Sequence, residues 1–155
     1  LIRSDTQRPH MYDHILLPTD GSDGVSTIAE HAGPPARQHD ATVHVLSVVD
    51  TRNRFEGPSV GLGTEAWEEA EHGRAEQAVD DAVSALPDDI AVERHVESGV
   101  PHTEILDYAD AADIDLIVMG THGRTGIDHY LIGSIAERIV RRSPVPVLTV
   151  RIADE

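Results

Sequence analysis

The segment Gly120-Thr-His-Gly123-Arg-Thr-Gly126-Ile-Asp-His-Tyr-Leu-Ile-Gly133-Ser134 gathers glycines where an apolar run ends and a helical pattern begins. Glycine lets main-chain N–H groups turn inward and meet a phosphate with no Cβ in the way. A helix N-terminus adds free N–H donors and a partial positive charge. The chemistry on offer is anion binding through the backbone. The spacing Gly-x2-Gly-x9-Gly-Ser is neither a P-loop, which needs Gly-Lys-Ser/Thr, nor the dinucleotide Gly-x-Gly-x-x-Gly. Glycines as plain turn formers is the simpler reading, but three at this spacing after a buried strand favour binding. Arg124 is the only cation in the segment, and phosphate contact and solvation are equally open to it.

Other candidates each carry a second reading. Asp20 ends another apolar run, where it can meet a ligand or cap the next helix. Ser134 and Glu137 spell Ser-x-x-Glu, a capping box that accounts for Glu137 and competes for the Ser134 hydroxyl. His122 invites a catalytic or metal role, yet no Ser, Asp or Cys partner is placed by the sequence, so it reads as structuring the loop. His129 beside Asp128, and His10 with His14, carry less. Arg138, Arg141 and Arg142 suit a helix C-terminus, and the acidic stretch 64–81 reads as a solvated helix face.

The elements that must hold these residues alternate in type. Tyr12 to Leu17 is a buried strand closed by Pro18 and the turn Thr19-Asp20-Gly21-Ser22. A helix starts within Asp23 to His31, with Val25, Ile28, Ala29 and Ala32 on one face, and Ala41 to Val49 is a second strand. Residues 50–63 are Gly-rich and aperiodic, hence a loop. Thr64 to Leu86 is helical, with Val79, Ala82, Val83 and Leu86 at i, i+3, i+4 and i+7. From Ile90 to Val96, Ile90, Val92, Arg94 and Val96 alternate with Ala91, Glu93 and His95, as in a half-exposed strand. Pro101 opens a helix to about Ala112, Asp115 to Met119 is an apolar strand, a helix spans about Ser134 to Arg142, and Val145 to Val150 is the last strand.

This order predicts an α/β fold: a doubly wound, five-stranded parallel sheet with helices on both faces. Ligands then sit outside the strand carboxyl ends, at the topological switch point. The flavodoxin-like order and its relatives are the candidates. Gly33-Pro34-Pro35 should interrupt the first helix near His31, with a restart near Ala36, because an interior proline costs ~3 kcal/mol. Residues 1–10 are aperiodic and precede Met11; they read as a disordered or added extension to a single domain over 11–155.

Charge narrows the function. Twelve basic residues, all arginine, face 28 acidic ones for a net −16 over 155 residues. A nucleic-acid binder needs clustered cations, as does a protein resting on an anionic membrane, so neither partner is expected. No apolar run nears the roughly 18 residues of a spanning helix and no signal peptide is visible, so a cytoplasmic setting is expected. With no cysteine, disulfides, thiol catalysis and cysteine-bound metals are excluded together. The lysine-free acidity resembles proteins of salt-accumulating cells, pointing to a halophilic archaeon, since carboxylates hold water in concentrated salt.

In this context the glycine segment resembles the nucleotide-binding signature of universal stress proteins, Gly-x2-Gly-x9-Gly-Ser/Thr, in their ATP-binding branch. The resemblance runs from about Met11 to Arg151. It takes in Ile-Leu-Leu-Pro-Thr-Asp-Gly-Ser, Val-Leu-Ser-Val-Val-Asp and Arg-Ser-Pro-Val-Pro-Val-Leu-Thr-Val. It implies a Rossmann-like fold of the adenine nucleotide alpha hydrolase type. It also implies that Pro18, Thr19 and Asp20 lie beside adenosine, with Asp20 meeting adenine or ribose. Val48 would line the adenine pocket, and Met119 and Gly120 would flank base and ribose. Gly123, Gly133, Ser134 and Ile135 would hold the phosphates through N–H groups and the Ser134 hydroxyl.

The resemblance further implies ATP accompanied by Mg²⁺ or Mn²⁺ held mainly by the phosphates, and a homodimer through the last strand, Val145 to Val150. An apolar sheet edge there would otherwise stay unpaired. The expected role is a nucleotide-dependent regulatory dimer of the stress response, with ATP ordering residues 50–63 and 120–133. A slow ATP hydrolase or nucleotidyl transferase at the same site is the rival, opposed by the lack of an evident general base or lysine near the loop. A dimeric scaffold that binds no nucleotide is opposed by the intact glycines. A phosphorelay receiver would need a lysine, and there is none.

Overall fold

Every strand read from an apolar run forms, and each joins its neighbour in parallel. The computed structural model describes residues 11–53, 61, 63–121 and 133–152; the extension 1–10 and most of the loop 50–63 lie outside them. The elements are β1 (His14–Pro18), α1 (Val25–His39), β2 (Thr42–Asp50), a 3-10 turn (Thr51–Asn53), α2 (Thr64–Ala85), β3 (Val92–Gly99), α3 (Pro101–Ala111), β4 (Leu116–Gly120), α4 (Ser134–Arg142) and β5 (Val147–Val150). The sheet order is β3-β2-β1-β4-β5. It differs from the flavodoxin-like order in setting β3 at the edge beyond β2. A place beside β1 would bury Glu93, Arg94 and Glu97; the edge leaves all three exposed or half-exposed.

The pleat sends alternate side chains to opposite faces, which divides the core in two. On one face Ile15, Leu17, Val43 and Val45 meet Ile28, Ala29, Ala32 and Ala36 of α1 and Val79 and Ala82 of α2. On the other, Leu16, Leu46, Ile117 and Met119 meet Ile105 and Ala109 of α3 and Ala136 and Ile139 of α4. Ile15, Leu16, Leu17, Leu46, Ile117 and Ile139 are fully buried, each contributing about 1.5–3 kcal/mol by leaving water.

The expected break at Gly33-Pro34-Pro35 does not occur: α1 runs unbroken through both prolines. The two prolines cannot donate to the carbonyls of Glu30 and His31, one turn earlier. Both of those residues lie on the exposed side of the helix. The buried face, through Ala32, Gly33 and Ala36, carries the packing that holds the helix together. The last strand is also shorter than the expected Val145 to Val150. Pro146 has no N–H to donate, although its carbonyl accepts from Ile117 at 3.0 Å, and Val145 is held in a turn by Ser143 Oγ. Among the described residues no helix is long and apolar enough to cross a membrane.

Candidate functional site

The sheet order reverses between β1 and β4, so the connections leaving these two strands part company there. Hydrogen bonds follow the split. Past the end of β1, Thr19 N–H donates to Leu46 of β2 at 2.9 Å; past β4, Thr121 N–H donates to Val150 of β5 at 3.1 Å. The two loop residues are drawn outward in opposite directions, and such a switch point is where open α/β sheets form their crevice at the carboxyl ends.

One wall is the turn after β1. Asp20 Oδ1 accepts the Ser22 N–H at 2.9 Å and Thr19 Oγ1 accepts the Gly21 N–H at 3.3 Å. Gly21 adopts φ +80, a left-handed conformation costly for other residues. Asp20 does not cap α1, the alternative weighed for it: the N-cap is Gly24, whose carbonyl accepts Ile28 N–H at 3.1 Å. Half-buried Asp20 therefore shapes the turn after β1.

The other wall is the start of α4. Gly133 N–H donates to the Thr121 carbonyl at 2.6 Å, clasping together the two ends of segment 122–132. The capping box expected from Ser134 and Glu137 does not form. Gly133 is itself the N-cap, its carbonyl accepting Glu137 N–H at 2.9 Å, and no side chain caps the helix. The Ser-x-x-Glu pattern sits one residue too far along. Ser134 is thus the first helical residue, exposed, and Glu137 instead pairs with Arg141 one turn on.

Between the walls lies an apolar floor. Val48, Met119 and Ile135 all pack on the α3/α4 face. The β1–β4 register pairs Leu16 with Ile117, and carried on by two residues it sets Met119 beside Pro18. The structure therefore gathers Pro18, Thr19, Asp20, Val48, Met119, Gly120, Gly133, Ser134 and Ile135 around the carboxyl ends of β1, β2 and β4. Gly123 and Arg124, like His122 and His129, lie outside the described residues.

Sequence reasoning missed a cavity of about 700 Å³ between α2 and the ends of β2 and β3, lined by Val49, Thr51, Trp67, Glu68, Glu69 and His72 among others. The acidic face of α2 is solvated as expected, with Glu65, Glu68, Glu69 and Glu76 exposed, and part of it borders this open hollow. Its carboxylates repel phosphate, so this hollow does not suit an anion.

With this geometry in hand, the sequence profile of the Universal stress protein family matches residues 11–151. The chain belongs to the universal stress protein family. A universal stress protein of Methanocaldococcus jannaschii is 38% identical over 147 residues, covering 92% of this chain and 84% of the relative. Among solved structures, a universal stress protein family member from Burkholderia pseudomallei superposes with a TM-score of 0.71 at 26% identity, over 92% of this chain and 98% of its own. A universal stress protein crystallised in complex with cAMP gives 0.61 at 26% identity, over 90% and 97%. The five-stranded, Rossmann-like architecture is the one these universal stress proteins share.

Proposed function

We propose that this universal stress protein binds ATP, accompanied by Mg²⁺ or Mn²⁺ on its phosphates, in the crevice between β1 and β4. The observation that carries the reading is the clasp from Gly133 N–H to the Thr121 carbonyl, which brings an uncapped helix start to the switch point. The first helical N–H groups, from Ser134 onward, have no intrahelical acceptor and suit a phosphate. Val48, Met119 and Ile135 offer an apolar bed for a purine, and Asp20 offers an acceptor for ribose hydroxyls or the adenine amino group. The cAMP complex of a relative supports the adenine nucleotide class.

Nucleotide binding then acts as a switch. ATP with its metal orders residues 50–63 and 120–133 and changes a surface that a partner reads. The working unit is a homodimer through the last strand: β5 is a sheet edge, and Leu148 on it and Val140 on α4 stand 39% and 49% exposed. The setting is a cytoplasm rich in salt, where the screening length shrinks to ~3 Å at ~1 M and distant carboxylates hardly oppose ATP.

Mass spectrometry of the nucleotide retained by protein purified at high salt tests this reading. ATP is expected. ADP or AMP would replace the switch by a hydrolase, and failure of added Mg-ATP to bind in calorimetry would overturn the site. Limited proteolysis within 50–63 should slow with Mg-ATP; equal cleavage would remove the ordering step.

A further inference from the structure

At the other end of the same strands, three histidines, a glutamate and a tyrosine converge. His44 of β2 is only 4% exposed. Its Nδ1 lies 2.6 Å from the Tyr108 hydroxyl of α3, and its Nε2 lies 3.0 Å from His14 Nδ1 and 3.4 Å from Glu93 Oε2. Two residues along β3, His95 stacks on His44 with ring centroids 6.0 Å apart. Its Nε2 is buried without a hydrogen-bond partner, 3.6 Å from Glu93 Oε1. The parallel register makes the cluster: His44 lies opposite Glu93 and Leu46 opposite His95, so all three side chains share one face.

We propose that His44, Glu93 and His95 form a binding site for a divalent transition-metal ion of the zinc class, with His14 beside the fourth position. Their donor atoms all lie within 4.8 Å of one another. Bonds of ~2.0–2.1 Å in a tetrahedron put ligand atoms ~3.3 Å apart, close to the contacts to Glu93 already present. Two imidazoles and a carboxylate suit Zn²⁺, Cu²⁺ or Ni²⁺, whereas Mg²⁺ and Ca²⁺ prefer oxygen alone. Tyr108 occupies the far nitrogen of His44 and leaves Nε2 to face the ion, the usual outer-shell arrangement for a ligating histidine.

This site is separate from the nucleotide's metal and does not depend on the nucleotide reading. Val48 stands four residues beyond His44 on β2, ~13 Å at strand rise. An ion here would tie the edge strand β3 to β2 and, through Tyr108, to α3.

Calorimetric titration of the metal-free full chain with Zn²⁺ alone, without nucleotide, tests the proposal. One ion per chain is expected. His95→Ala and Glu93→Gln, at partly exposed positions that tolerate replacement, should each weaken binding at least tenfold. His72→Ala, which removes an exposed histidine paired with Glu76 on α2, should leave it unchanged. Co²⁺ should show the visible absorption of a tetrahedral site, lost in His95→Ala. Absence of saturable binding, or equal affinity in the parent, His95→Ala and Glu93→Gln, would overturn the site, as would loss in His72→Ala alone.

Discussion

The two ends of the sheet use opposite materials for opposite charges. At the carboxyl ends of β1 and β4 the working groups are main-chain N–H donors and glycines, with Asp20 shaping the turn. At the amino half of β2 and β3 they are side chains, imidazoles and a carboxylate set side by side by strand register. A protein with 28 acidic residues and no lysine has few cations to offer an anion, and the proposed nucleotide site gives that task to the backbone. Carboxylates and histidines are plentiful, and a cation is the ligand they suit.

The largest effect expected on this contrast comes from Gly133→Val. Its backbone, at φ −61 and ψ 154, accepts any residue, but a branched side chain blocks close approach at the start of α4. ATP affinity in calorimetry should fall about a hundredfold, ~2.7 kcal/mol, with Zn²⁺ affinity unmoved. Loss of both would show that the two ends are coupled. Next, Pro34→Ala restores a donor for the Glu30 carbonyl in a helix that lies on the face away from the α3/α4 side. It should raise stability in denaturant titration by roughly 2 kcal/mol and alter neither ligand, separating fold from sites. Tyr108→Phe frees the far nitrogen of His44 and should weaken Zn²⁺ about tenfold while sparing ATP. The smallest effect is from salt. Raising KCl from ~0.15 M to ~1 M screens the net negative charge, so Mg-ATP binding should hold or improve while Zn²⁺ binding weakens a few-fold. A parallel change in both would remove the charge argument from the comparison.

Legibility differs between the two ends for the same reason. The glycine segment is contiguous, so its spacing shows in the sequence, whereas Asp20 kept two readings there and only the structure removed the helix cap. The metal cluster draws on positions 14, 44, 93, 95 and 108, and no local pattern joins them. Two signals were present: a histidine interrupting the apolar strand 41–49, and Glu93 with His95 on the polar side of the next. Local rules misled at two other places. The proline penalty counted only the local cost, and α1 runs on because its buried face, through Ile28, Ala29, Ala32, Gly33 and Ala36, holds the helix together. The Ser134–Glu137 box presumed that Ser134 preceded the helix, whereas Gly133 does.

The amino-acid sequence by itself determined the alternation of strands and helices and the two-faced core, because these follow from periodicity, and it displayed the glycine spacing because those residues are adjacent in the chain. Only the tertiary structure decided that β3 stands at the edge, that Gly133 clasps Thr121, and that His44 meets Glu93 and His95. Strand order and register depend on how whole elements bury their faces against one another, and a pairing shifted by a single residue would turn His44 to the opposite face.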